Sequence, residues 1–104
     1  MSTERPDKQE GGLEEIKVKV TEPPMYKVLL HNDDYTTKAF VVEILTAIFN
    51  KPIEEATHLM WQVHRNGVGV CGIYPYEVAE TKTNIVTKAA RENGFPLKAT
   101  MEKE

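Results

Sequence analysis

The sequence predicts an α/β (α+β) two-layer sandwich in the order β-α-α-β-α-β, with a three-stranded antiparallel sheet packed against three helices. Two observations carry that prediction. Short β-type apolar runs at about 25–30, 68–74 and 95–101 alternate with segments whose apolar residues recur every three or four positions. Proline, glycine or a capping polar residue stands near each change of period. The 104 residues suffice for one domain, and 40% hydrophobic content suffices for its core.

Residues 1–22 read as a flexible N-terminal extension, and residues 23–104 as the core domain. Ser2 to Glu22 is rich in Glu, Lys, Gly, Pro and Gln, and its only large apolar residues are Leu13, Ile16, Val18 and Val20. Such a composition buries too little surface to order itself. Pro23-Pro24 stiffens the boundary. Met25 to Leu30 is the first strand. Thr36 or Thr37 caps a helix running to about Asn50, with Phe40, Val41, Ile44, Leu45, Ile48 and Phe49 on its apolar face. Pro52 opens a second helix, whose stripe is Ile53, Ala56, Leu59, Met60 and Val63, and Asn66-Gly67 ends it. Val68 to Tyr74 is the second strand, interrupted by Gly69 and Gly72, which mark a bend or a close backbone approach. Pro75 opens the third helix, with Val78, Ile85 and Ala89 as apolar positions and Asn93-Gly94 as its stop. Phe95, Leu97, Ala99 and Met101 alternate as the last strand.

Several function classes find no support in the residues. The net charge is −3 and the 13 basic residues are scattered, so no nucleic-acid footprint is expected. No run approaches the ~18 apolar residues of a membrane span, and the N-terminus has no apolar signal stretch, so no membrane partner is expected. Cys71 is the one cysteine and cannot make an internal disulfide, which suits a reducing cytoplasm. It lies in an apolar strand and reads as a buried, inert thiol. Ser2 is the only serine, and Gly67-Val68-Gly69 is too short for a phosphate loop. Glu54-Glu55, Glu77 and Glu80 read as solvated acids near helix starts. His31, Asp33, Asp34, His58 and His64 lack metal-ligand spacing. No catalytic residue, metal or cofactor is expected.

One polar run remains. His31-Asn32-Asp33-Asp34-Tyr35-Thr36 follows the first strand directly, leaving a carbonyl, two carboxylates and a hydroxyl at the end of a rigid element. In the second helix Met60 and His64 are four apart and share a face, with Val63 beside them. An imidazole therefore stands at the lip of an apolar surface. If the Asn32–Asp34 corner lies near that lip, acceptors surround a hydrophobic hollow. The matching ligand is a cationic amine beside a large apolar side chain, as in a free peptide N-terminus beginning with Leu, Phe, Tyr or Trp. The ordinary alternative is that His64 complements a helix C-terminus and Asp33-Asp34 make turns. Spacing alone leans to that alternative.

The stretch Pro23-Pro-Met-Tyr-Lys-Val-Leu-Leu-His-Asn-Asp-Asp-Tyr-Thr36 resembles the signature of the ClpS family, adaptors of the ATP-dependent Clp protease. So do Glu55-Ala-Thr57, Met60, Val63-His64, Gly67, Cys71-Gly72, Glu77-Val-Ala-Glu-Thr-Lys82 and Ala90-Arg-Glu-Asn93 with Pro96-Leu97. The resemblance is colinear from Pro23 to the C-terminus. It implies a cytoplasmic, bacterial-type, non-catalytic adaptor that binds N-terminal Leu, Phe, Tyr or Trp of substrate proteins (N-degrons). The partner it implies is the N-terminal domain of an AAA+ unfoldase, ClpA or a relative. It places Asn32, Asp33, Asp34 and His64 around the α-amino group, and Thr36, Lys38, Val41, Met60, Val63 and Leu97 around the side-chain pocket. Glu77 and Lys82 match unfoldase-binding positions, and the tail before Pro23 matches an extension needed for delivery.

The chain departs from the family at Thr37-Lys38, where the family usually has Pro-Met. That methionine acts as a gate against β-branched side chains, so discrimination between Leu and Ile or Val stays open here. Two other functions stay open from sequence: a small peptide-binding or ribosome-associated module unrelated to proteolysis, and a metal-dependent enzyme using Asp33 and His64.

Overall fold

The computed structural model describes residues 23–104, so the extension expected at 1–22 lies outside the described residues. The elements are β1 (Met25–His31), α1 (Lys38–Ala47), α2 (Ile53–Asn66), β2 (Val68–Pro75), α3 (Tyr76–Glu92) and β3 (Lys98–Lys103). The sheet order is β2-β1-β3, and both pairings are antiparallel. The predicted order and fold class are those of the structure.

β1 is the central strand, paired on both edges, and its inward residues Val28 and Leu30 are completely buried. Its pairing with β2 slips by one residue between Val28 and Leu29, where Val28 faces Gly72 and Leu29 faces Val70. Cys71 is the extra residue of this bulge. The slip lets Cys71 point into the core while Val70 and Ile73 stay exposed on the open face. Burial pushes the Cys71 thiol up to about 12, which suits an inert core side chain. His31 is also accounted for within the fold, with its Nε2 2.7 Å from the Thr100 hydroxyl on β3.

The helices cover one face of the sheet. α2 packs on β2, α1 packs on α2, and α3 lies across all three strands. Thr37, rather than Thr36, caps α1, its hydroxyl accepting from Phe40 N–H at 3.1 Å. α1 ends at Ala47, three residues before the expected stop, and Asn50 takes a left-handed φ of 56° in the turn beyond it.

In α3 the buried face differs from the expected one. Ala79, Val86 and Ala90 are buried, whereas Val78 and Ile85 are 42% and 47% exposed. Ala79, Val86 and Ala90 are spaced seven and four apart and share one helical face, while Val78 and Ile85 each lie one position away on its flank. Arg91 pins the next turn, its Nη1 donating to the carbonyls of Phe95 at 2.8 Å and Leu97 at 3.0 Å. Phe95 then meets Phe40 with ring centroids 4.8 Å apart, closing the core between α1 and β3.

Candidate functional site

The chain leaves β1 at Asn32 and enters α1 six residues later. Two local devices shape that loop. Asn32 N–H donates to the carbonyl of Gly67 at 2.9 Å, tying the end of β1 to the end of α2. Gly67 is the left-handed C-cap of α2, with φ 87°, and its own N–H donates to Val63 O at 2.9 Å. This joint brings the last turn of α2, which carries His64, against the Asn32 loop.

The second device is Asp33. Its Oδ1 accepts from Tyr35 N–H at 2.8 Å and Thr36 N–H at 2.7 Å, and its Oδ2 accepts from the Thr36 hydroxyl at 2.7 Å. Partial burial raises the Asp33 pKa, but the Thr36 and Tyr35 hydrogen bonds and the Arg91 charge together hold it below the ordinary carboxylate value. A carboxylate has about four lone-pair sites. Three are occupied within the loop, which leaves Oδ2 able to accept from a ligand.

The loop and α2 enclose a cavity of about 350 Å³. Asn32, Asp33, Asp34 and His64 line its polar side. Val41 from α1 and Met60 and Val63 from α2 supply its apolar lining, and Thr36 and Lys38 border it as well. Nine of the ten residues named from sequence for amine and side-chain contact thus border one hollow. Leu97 does not: it is 1% exposed within the core, held there by the turn that Arg91 pins. Tyr35 and Thr37 also border the cavity. Sequence reading named Thr37 as a cap and as a departure from the family, and left Tyr35 without a role. Val63 has no room to retreat, since a Cβ on Gly69 of β2 would stand 2.8 Å from Val63 Cγ2. That close approach is what the glycine permits.

Trp61 escaped the sequence reading altogether. It lies 37% exposed behind the rim, its ring edge-on to His64 with centroids 5.7 Å apart. The Lys38 ammonium lies 5.5 Å from the Trp61 ring centroid, and the Arg65 guanidinium 5.0 Å. No signal in the sequence pairs Lys38 with Trp61, because 23 positions separate them. Among the described residues, no cluster of three His, Cys, Asp or Glu side chains is placed to hold a metal.

Glu77 and Lys82 lie apart from this cavity, along α3. They border a shallow groove with Val78, Thr81 and Ile85. The Lys82 Nζ donates to Ile48 O at 2.7 Å and stands 5.2 Å from the Tyr74 ring centroid and 5.7 Å from that of Phe49. Its charge is therefore anchored to the body of the protein.

Comparison with known proteins agrees with this architecture. A family model described as "ATP-dependent Clp protease adaptor protein ClpS" matches residues 21–100. The chain belongs to the ClpS family. The ClpS adapter protein of Desulforapulum autotrophicum is 52% identical over 104 residues, covering all of both chains. That of Wolinella succinogenes is 59% identical over 83 residues, 80% of this chain and 81% of the relative. A solved structure of Agrobacterium tumefaciens ClpS2 bound to L-phenylalaninamide superimposes with a TM-score of 0.77 at 40% identity, covering 80% of this chain and all of that one. ClpS proteins are non-catalytic adaptors of the Clp protease, and this chain is one of them.

Proposed function

We propose that the cavity captures the free N-terminus of substrate proteins beginning with Leu, Phe, Tyr or Trp, for delivery to a Clp AAA+ unfoldase. The observation that carries this is the meeting of Asn32, Asp33 and His64 with Val41, Met60 and Val63 around one hollow. An α-ammonium has three N–H donors, and burying it unpaired is costly. Asn32 supplies a carbonyl oxygen, neutral His64 a ring nitrogen, and Asp33 its remaining lone pair. Asp34, exposed at the mouth, adds negative potential through water. The apolar half receives the side chain, and a fully buried Leu or Phe contributes roughly 1.5–3 kcal/mol.

Selectivity for a chain start is in part a rejection of everything else. An internal residue lacks the ammonium, and an acetylated one leaves acceptors without donors at about 1–3 kcal/mol each. L-phenylalaninamide, the ligand of the Agrobacterium protein, has the expected chemistry: a free α-amine, an aromatic side chain and no carboxylate. No step in this recognition breaks a bond.

Delivery uses other surfaces. Glu77 and the exposed Val78 and Ile85 offer a charged and apolar docking strip on α3 for the unfoldase's N-terminal domain. Lys82, anchored on Ile48 O, sets the floor of that strip. Residues 1–22 act as the extension that engages the unfoldase, in the cytoplasm. Calorimetry with matched peptides bearing free or acetylated N-terminal Leu tests the reading. Binding of the free form alone is expected, and equal binding of both refutes it.

A further inference from the structure

We propose that Lys38, Trp61 and Arg65 form a second subsite at the cavity mouth that takes an acidic side chain at the second residue of the substrate. This rests on the N-terminus-binding reading above. The geometry supplies the direction. Trp61 is one ring contact from His64, at 5.7 Å, and also carries the Lys38 ammonium at 5.5 Å and the Arg65 guanidinium at 5.0 Å. Lys38 and His64 border the cavity, and Trp61 and Arg65 border a separate groove along α2. A peptide whose amine sits against His64 advances at most about 3.3–3.6 Å per residue. Its second side chain leaves the hollow where these groups gather.

Charge identifies the occupant. The only ion pair among the described residues joins Lys51 to Glu55, so no described carboxylate neutralises Lys38 or Arg65. Lys38 is the first residue of α1, whose first turn carries no acidic residue, so the positive helix end adds to the ammonium. Asp33 and Asp34 border the same cavity and serve the substrate amine, which leaves Lys38 and Arg65 as the positive groups for the second side chain. Each cation lies against the indole ring, which lowers the ordering cost of pairing it with a carboxylate.

The test uses fluorescence anisotropy with the full chain and three peptides, beginning Leu-Glu, Leu-Gln and Leu-Lys and otherwise identical. Leu-Glu is expected to bind about two- to fivefold tighter than Leu-Gln at low salt, with Leu-Lys weakest, and the spread to shrink toward one at ~1 M salt. Arg65→Gln is expected to leave Leu-Gln binding unchanged and to narrow the Glu/Gln ratio, and Lys38→Met with Arg65→Gln to abolish it. Trp61 is the only tryptophan, so acrylamide quenching of the wild-type protein gives an independent readout. Leu-Glu should shield it more than Leu-Gln. Equal affinities for all three peptides, with Leu-Gln bound and its acetylated form not, overturn the subsite while leaving the N-terminus reading intact. Binding of none of them overturns both.

Discussion

Asp33 is expected to do two separable jobs, and two substitutions divide them. Asp33→Ala removes three hydrogen bonds, from Tyr35 N–H, Thr36 N–H and the Thr36 hydroxyl. Each has a net value of about 0.5–1.5 kcal/mol. The loop is partly exposed and water replaces the lost acceptor, so the low end applies, about 1.5 kcal/mol in all. For a domain of this size that lowers Tm by roughly 6–12 °C. Asp33→Asn keeps one carbonyl oxygen for the two backbone donors, and the Thr36 hydroxyl can turn to accept from the new amide. Its Tm should stay within about 4 °C of wild type. Its affinity for a Leu-start peptide should still fall about tenfold or more, since an amide NH2 replaces Oδ2 and cannot accept from the ammonium, and a hydrogen bond to a charged group is worth about 1.5–3 kcal/mol.

The pH dependence arises from the same bonds. The folded Asp33 carboxyl is held below its ordinary value, so its stabilisation is present above the unfolded value of about 3.9 and is lost as pH falls through the lower folded value. The Tm gap between wild type and Asp33→Ala should be constant from pH 7 to about 5 and close below about 4. Thermal melts by circular dichroism and peptide anisotropy measure both quantities. An Asp33→Ala protein that melts with wild type at pH 7, or an Asp33→Asn protein as unstable as Asp33→Ala, refutes the account of the loop.

Gly69→Ala should press on Val63, costing about 1–3 kcal/mol by overpacking and weakening Leu-start peptide binding in parallel, as melts and anisotropy would record. Lys38→Met should increase discrimination of Leu over Ile at the N-terminus, because the Lys38 stem leaves with its ammonium toward Trp61 and lies across the hollow less fully than a methionine. An unchanged Leu/Ile affinity ratio would remove Lys38 from the gate. Deleting residues 1–22 should leave peptide affinity within error and stop degradation of a Leu-start reporter by the reconstituted unfoldase and protease. Continued degradation by the truncated protein contradicts a delivery role for the extension.

Much of the molecule was legible along the chain because its cues are local. Thr37, Pro52, Gly67 and Pro75 act on their own backbone neighbours, so the elements could be placed to within a few residues. Met60, Val63 and His64 share a face by helical period alone. The exposed side of α3 was not legible, since Val78 and Ile85 are as apolar as the Val86 that is buried. Which of the two neighbouring helix faces meets the sheet is decided by how the helix settles on it, not by apolar character. Leu97 illustrates the same limit: alternation marks it as inward, but the Arg91 bonds to the adjoining turn decide that inward means core rather than cavity.

By itself the sequence determined the six elements, their order, the buried thiol and the polar run after the first strand, all of which depend on neighbours a few residues away. Tertiary structure alone decided that Asn32 meets His64, through a single hydrogen bond to Gly67. It alone stacked Lys38 on Trp61. Contacts across 20 to 35 positions depend on how helices settle on a twisted, bulged sheet, and local preference carries no record of that.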